Sequence, residues 1–259
     1  MCPELFKIGN LVISTYGVLV AIGMIVAFYT AIYFGKKEGF HERQVENLFI
    51  FTIIFGIIGA RIAYILEHPD QFKSLIDYFA VWRGGIDWFG GFIGGVITVA
   101  FLIYKYKLPL LKVADVGGIS IVIGHAIGRL GCTAAGCCHG KVVPPHSFWE
   151  HFSIKFPEGS QAPPGLHLYP TQPLEAVGNF LIFLFLFFIY RNKSFDGQIF
   201  AFYLVLYGLE RFLLEFMRGV TPPLPVIGIT WNQVVTLLMV FAGIGIYIYG
   251  LKRKSLSVA

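Results

Sequence analysis

The stretch Gly128-Arg129-Leu130-Gly131-Cys132-Thr133-Ala134-Ala135-Gly136-Cys137-Cys138-His139-Gly140-Lys141 places an arginine, three of the four cysteines and a histidine close together at the end of a long apolar run. Each residue type has its own chemistry. A guanidinium at membrane depth is costly unless it is paired or sits in a wet cavity, so Arg129 marks a functional site. A thiol beside an imidazole can lose its proton and act as a nucleophile, which singles out Cys132, Cys137, Cys138 and His139. The same four side chains are soft metal ligands. However, the spacing C-x4-C-C-H is not a usual zinc spacing, and adjacent cysteines are awkward ligands in one tetrahedral site, so no metal and no cofactor is expected. A disulfide from Cys132 to Cys137 or Cys138 is feasible, and Cys2 stands alone.

Further polar groups interrupt the other apolar runs. Arg61 and Arg211 join Arg129, and Asp115, Glu175, Glu210 and Glu215 supply carboxylates. Tyr16, Tyr64, Tyr207, Gln172, Asn179, Asn232 and Gln233 add hydrogen-bonding capacity. Glu215 follows Arg211 by four residues, so the two can pair on one helix face. His125 precedes Arg129 by one turn. Three arginines in one bundle predict an anionic head group as ligand, because guanidinium forks match phosphate oxygens. The competing reading is an Arg–Glu and Arg–Asp network that only ties helices together, although buried pairs add little net stability.

These groups need a membrane scaffold to position them. The chain has 259 residues, 56% of them hydrophobic and only 14% charged, which is not a soluble composition. Apolar runs of about 20 residues each span a bilayer. Seven are read, at 12–34, 46–66, 87–104, 113–132, 172–190, 197–217 and 228–250, giving one all-α, polytopic membrane domain over 1–259. The first run lacks a strongly basic start and a small-residue cleavage site, so it is read as a helix of the mature chain.

The net charge of +5 reflects topology and points to no nucleic-acid partner. Eleven basic residues (Lys36, Lys37, Arg43, Lys105, Lys107, Lys112, Arg191, Lys193, Lys252, Arg253 and Lys254) fall on one side, and six (Lys7, Lys73, Arg83, Lys141, Lys155 and Arg218) on the other. The positive-inside rule then predicts the N-terminus outside and the C-terminus inside. The proline-rich segment 133–171 is expected to form an ordered cap on the outer face. The loop 67–86 is expected to form a short arm leading into Trp82-Arg83-Gly84-Gly85-Ile86-Asp87-Trp88-Phe89-Gly90-Gly91, whose glycines permit close approach of a backbone or a ligand.

Taken in order, these motifs resemble the prolipoprotein diacylglyceryl transferase family, from Tyr16 to Gln233. Ile13-Ser14-Thr15-Tyr16-Gly17 is similar to its tyrosine-glycine start, and Gly59-Ala60-Arg61-Ile62-Ala63-Tyr64 to its G-x-R-x-x-Y. The Trp82–Gly91 stretch resembles W-x-G-G-M-S-x-H-G-G, and Asp115 falls where the family has an Asp before its signature. Gly128-Arg129-Leu130-Gly131 opens the signature G-R-x-G-N-F-x-N-x-E-x-x-G. Pro170-Thr171-Gln172-Pro173-Leu174-Glu175 is similar to H-P-[ST]-Q-L-Y-E, and Tyr207 to Arg218 to Y-G-x-x-R-F-x-x-E-F-x-R.

The resemblance implies a seven-helix enzyme of the bacterial inner membrane with its cavity toward the outer side. Its partners are phosphatidylglycerol and the lipobox peptide of a prolipoprotein. It moves the diacylglyceryl group onto the lipobox cysteine thiol and releases glycerol phosphate. Arg129 and Arg211 then hold the phosphate, Glu215 orients Arg211, and Tyr16 and Tyr207 line the cavity. Glu175 and Arg218 support or gate the site, and Arg61, Tyr64, Gly90, Gly91, Asp115, Gln172 and Gln233 join the substrate-binding set. The departures are local. Phe89 stands at the histidine of H-G-G, Tyr169 at the histidine before P-[ST]-Q, Cys132 at the signature asparagine and Cys137 at its glutamate. Phe89 cannot move a proton, so the incoming thiol needs another base, with His139, His125 or the product phosphate as candidates. Two alternatives stay open: a paralogue using Cys132, Cys137, Cys138 and His139 in thiol or redox chemistry, and a non-catalytic lipid-binding or transport protein.

Overall fold

The computed structural model describes residues 4–8, 11–72, 74–80, 84–219, 222, 224 and 228–258. Trp82 and Arg83 of the expected glycine-rich motif lie outside the described residues. A short antiparallel hairpin, β1 (Glu4–Ile8) and β2 (Leu11–Ser14), precedes eight α-helices among the described residues. They are α1 (Thr15–Lys37), α2 (Glu42–Glu67), α3 (Leu75–Phe79), α4 (Trp88–Tyr106), α5 (Leu110–Ala135), α6 (Thr171–Ile189), α7 (Gln198–Glu215) and α8 (Trp231–Val258).

The first expected span begins three residues early. Residues 12–14 belong to β2, and the Ser14 hydroxyl accepts the Gly17 N–H at 3.1 Å, so the helix starts at the capping serine. Asp87 does the same for α4, accepting the Gly90 N–H at 2.8 Å. Lys107 ends that helix in the left-handed region at φ 53°, two residues before Pro109.

Among the described residues, six helices are long and apolar enough to cross a membrane: Thr15–Lys37, Glu42–Glu67, Trp88–Tyr106, Leu110–Ala135, Thr171–Asn192 and Trp231–Ser255. The chain is thus a multi-pass, helical membrane protein. α7 differs because its 18 residues carry Glu210, Arg211 and Glu215.

The chain divides into two compact units. The unit of residues 32–113 pairs α2 with α4 through glycines: a Cβ on Gly90 would collide with the Gly59 carbonyl and Ala63 Cβ, and one on Gly94 would meet the Phe55 carbonyl at 2.5 Å. Small residues let the two backbones touch, as apolar helices in lipid require.

The other unit, residues 1–31 and 114–259, holds α5 from residue 114 onward, α6 to α8 and the first part of α1. A Cβ on Gly23 of α1 would lie 2.8 Å from the Gly124 carbonyl of α5, and one on Gly208 of α7 would lie 2.9 Å from the Thr236 carbonyl of α8. The proline-rich segment after α5 is ordered. Val142 and Ile154 both bridge to Leu168, and Phe156, Ala162 and Leu168 form its own small core.

A candidate phosphate clamp beside three thiols

The site is built in the larger unit on the facing ends of α5, α6 and α7. α6 begins with Thr171, Gln172 and Glu175, each only 1% exposed. The spacing i, i+1, i+4 keeps them on one side of the helix. Glu175 is the hub. Its Oε1 lies 2.8 Å from Arg129 Nη2, 3.8 Å from His125 Nε2 and 3.9 Å from Arg211 Nε. Its Oε2 lies 3.9 Å from Arg218 Nη1. Burying one carboxylate among guanidinium groups is tolerable only because each offsets the other's desolvation.

Glu215 is the second anchor. Its Oε2 pairs with Arg211 Nη1 at 2.5 Å and faces Arg218 Nε at 3.9 Å. Its Oε1 accepts from Thr230 Oγ1 at 3.0 Å and from Asn232 Nδ2 at 2.9 Å. Thr230 and Gln233 form a capping box at the start of α8. The Thr230 N–H donates to Gln233 Oε1 at 2.9 Å and the Gln233 N–H to Thr230 Oγ1 at 3.3 Å. Gln233 therefore reaches the clamp through Thr230.

His125 is read by its hydrogen bond. Arg129 Nε donates to its Nε2 at 3.2 Å, which requires a neutral ring protonated at Nδ1. The Tyr207 ring lies 5.4 Å from it, and Tyr203 stacks on Tyr207 at 5.6 Å. A group that the sequence reading left without a role is Glu210. Both of its carboxylate oxygens are buried without a hydrogen-bond partner among the described residues, and Oε1 occupies the space a Cβ on Gly178 would need. Its one sequence signal is a carboxylate next to Arg211.

The thiols stand directly against this clamp. Cys132 follows Arg129 by three residues on α5, and Cys137 and Cys138 lie on the turn after that helix. The three Sγ atoms lie within 4.8 Å of one another, half-buried, and all three are free thiols. The turn is held from α6: Gln172 Nε2 donates to the Cys137 carbonyl at 2.9 Å and Thr171 Oγ1 to the Cys138 carbonyl at 3.2 Å. Cys138 has φ 59°, a left-handed conformation that costs a non-glycine residue about 1–3 kcal/mol. The backbone thus accepts strain where it turns the second of two adjacent thiols back toward the first. Hydrogen bonds from Cys132 and Cys137, and then Arg218 and Arg129, hold the Cys138 thiol below its ordinary value. His139 is not in this group: its Nδ1 lies 3.0 Å from the Gly140 carbonyl. Tyr16 packs beside the cluster's helix, with its carbonyl 3.3 Å from a Cβ built on Gly131, and its side chain is 42% exposed.

Five further expected site residues make contacts of another kind. The Arg61 guanidinium donates to the carbonyls of Tyr78 (3.2 Å), Gly84 (2.8 Å), Gly85 (2.5 Å) and Asp77. All four belong to its own unit; in the larger unit Arg129 and Arg211 of the expected trio are joined by Arg218. Tyr64 donates to Gln71 Oε1 at 2.8 Å and stacks on His68. Asp115, fully buried, accepts from the Gly197 N–H at 2.8 Å and the Phe200 N–H at 2.9 Å and pairs with Lys193 at 3.3 Å. It stands 129 − 115 = 14 residues before Arg129, about 21 Å along the helix axis. Gly90 and Gly91 are contact points of α4 on α2, the latter 3.3 Å from Ala60 Cβ for a built Cβ.

This clamp lies inside a region of known kinship. The family model for prolipoprotein diacylglyceryl transferase matches residues 3–249. The chain belongs to that family. Among relatives of this transferase family, the phosphatidylglycerol–prolipoprotein diacylglyceryl transferase of Clostridium tetani is 31% identical over 98% of both chains. A second such enzyme of Clostridium perfringens is 32% identical over 93% of this chain and 92% of its own. That of Finegoldia magna is 31% identical over 92% of each. The match to the transferase family thus covers every residue of the clamp and of the thiol cluster.

Proposed function

We propose that this chain transfers the diacylglyceryl group of phosphatidylglycerol to the cysteine thiol of a prolipoprotein lipobox, releasing glycerol phosphate. The observation that carries the reading is the gathering of Arg129, Arg211 and Arg218 around Glu175 and Glu215, in a chain of the transferase family. A guanidinium has five N–H donors, and on Arg129 the described contacts use only Nε and Nη2. The remaining donors suit phosphate oxygens. Arg129 and Arg211 hold the phosphodiester and stabilise the charge that grows on the departing glycerol phosphate. Glu215, braced by Thr230 and Asn232, orients Arg211. Glu175, with Gln172 below it, sets the spacing of all three arginines. Tyr207 lines the cavity through His125, Tyr16 lies at its rim, and His139 stands beside the entry. Arg61, Tyr64, Gly90, Gly91, Asp115 and Gln233 act as positioning residues, ordering the arm after α2, the α2–α4 crossing, the start of α7 and the start of α8.

In this reading α7 is a seventh span. Its charged Arg211 and Glu215 are buried while Leu209 and Leu213 on the other side are exposed, as a helix with one face in lipid requires. An odd span count and the basic-residue asymmetry put the N-terminus and the proline-rich cap outside a bacterial inner membrane and the C-terminus inside.

The test is release of glycerol phosphate from labelled phosphatidylglycerol in the presence of a lipobox peptide. Arg129→Ala and Arg211→Ala should each lower turnover about 100-fold or more. Unchanged transfer by both variants would sink the clamp. Complementation of cells depleted of their own transferase tests the acceptor independently.

A further inference from the structure

We propose that Cys132, Cys137 and Cys138 form a three-sulfur zinc site whose fourth position takes the acceptor thiol, an inference that rests on the transferase reading. Three convergent sulfurs are one more than a disulfide uses. They lie within 4.8 Å of one another, half-buried and free. Around a tetrahedral zinc with Zn–S bonds of about 2.3 Å, sulfurs stand about 3.8 Å apart, so closure on the ion is a small contraction. The linear spacing C-x4-C-C argues against a metal only while the chain is imagined extended. The left-handed Cys138, preceded by Gly136 at φ 76°, folds the two adjacent thiols to one side. Gln172 and Thr171 fix the two cysteine carbonyls from α6, so the donor set is held before any ion arrives.

Three thiolates are soft donors that select zinc or monovalent copper over hard cations. Zinc is the one that keeps a fourth position, and a site with three protein ligands is the open, catalytic kind. Three thiolates and Zn²⁺ carry one net negative charge, and Arg129 is one turn from Cys132 on the same helix. Among the described residues no fourth metal-ligating side chain joins the group, and His139 Nδ1 is turned to the Gly140 carbonyl.

The chemistry balances without a separate base. The acceptor thiol binds zinc and releases its proton to water. Its sulfur attacks the glyceryl carbon of the phosphodiester, forming the S–C bond. The C–O bond breaks, and its electron pair leaves on the phosphate oxygen held by Arg129 and Arg211. Zinc keeps its oxidation state throughout. Gln172 and Glu175, one turn apart on α6, position the thiol turn and the arginine clamp side by side.

The experiment uses the full chain, purified in detergent under reducing conditions. Co²⁺ is the probe, with zinc as competitor. The expected result is one cobalt per chain with thiolate-to-cobalt charge-transfer absorption. That absorption should intensify with a lipobox peptide but not with its Cys→Ser analogue. Cys132→Ser, Cys137→Ser and Cys138→Ser should each weaken binding at least tenfold. Should a serine variant fail to fold, zinc protection of the three wild-type thiols from a maleimide gives the same answer without mutation. Chelation should slow glycerol phosphate release at least tenfold, with recovery on adding zinc. Cobalt bound equally by a triple Cys→Ser variant, a native disulfide between any two of the three, or full transfer by metal-free protein would overturn the proposal. An intact cobalt spectrum and peptide response without glycerol phosphate release would instead count against the transferase reading.

Discussion

Arg129 Nη2 lies 2.8 Å from Oε1 of Glu175, a carboxylate that is 1% exposed and that also faces Arg211 and Arg218. One acidic side chain on α6 thus holds guanidinium groups delivered by α5, by α7 and by the turn after α7. Its removal leaves Arg129 without its carboxylate and Arg211 and Arg218 with Glu215 alone. Glu175→Gln is expected to cost about 3–5 kcal/mol. A thermal melt in detergent followed by tryptophan fluorescence should show a clear drop in Tm, with Glu175→Asp between the two. An unchanged melt would mean that the arginines are held by something else.

Asn232 tests whether Glu215 positions Arg211 for the reaction. Its amide donates to Glu215 Oε1 at 2.9 Å. A hydrogen bond to a charged group contributes about 1.5–3 kcal/mol, so Asn232→Ala should lower kcat about tenfold or more. KM for phosphatidylglycerol should change little, because the guanidinium is still present. A rise in KM with kcat preserved would place Asn232 in binding instead.

Asp115 separates support from chemistry. It accepts two N–H groups at the first turn of α7 and pairs with Lys193. Asp115→Ala should destabilise the protein by about 2 kcal/mol or more, from the lost cap and the lost ion pair with Lys193. Transfer per folded molecule should stay near the wild-type rate. A selective loss of turnover in fully folded protein would return Asp115 to the substrate site.

Gly178 and Glu210 make a pair that a double-mutant cycle can read. A methyl group at residue 178 would collide with the Glu210 carboxylate, so Gly178→Ala should cost about 1–3 kcal/mol by overpacking. Glu210→Ala vacates that space. The double variant should recover at least about 1 kcal/mol of the loss, measured as the coupling between the two sites. Simple additivity would show that α6 and α7 do not meet as described.

Much of the scaffold was legible from local pattern. Apolar runs of membrane length placed α1, α2, α4, α5 and α6 to within a few residues, and α8 except for its last eight, because a helix in lipid must satisfy its own backbone and so announces itself in composition. The Arg211–Glu215 pair was legible for the same reason, since both sit on one helix four residues apart. The clamp arginines 129 and 211 were legible because a charge in an apolar run needs a cause. The beginning of α1 was misplaced by three residues because the strand that precedes it is equally apolar.

What the sequence by itself determined is therefore the helical membrane architecture, its family and the residue types at the site. Only the tertiary structure decided how those residues combine. It made Glu175 the common partner of three arginines, tied Arg61 and Asp115 to backbone groups, and brought three sulfurs together. The physical reason is that hydrophobic periodicity and helix caps are short-range, whereas an ion pair between α5 and α6 depends on which helix faces meet. The sharpest case is Cys137 and Cys138. As neighbours in sequence their side chains are expected to diverge. A turn with Gly136 and Cys138 left-handed, its Cys137 and Cys138 carbonyls held from α6 by Gln172 and Thr171, brings them together beside Cys132.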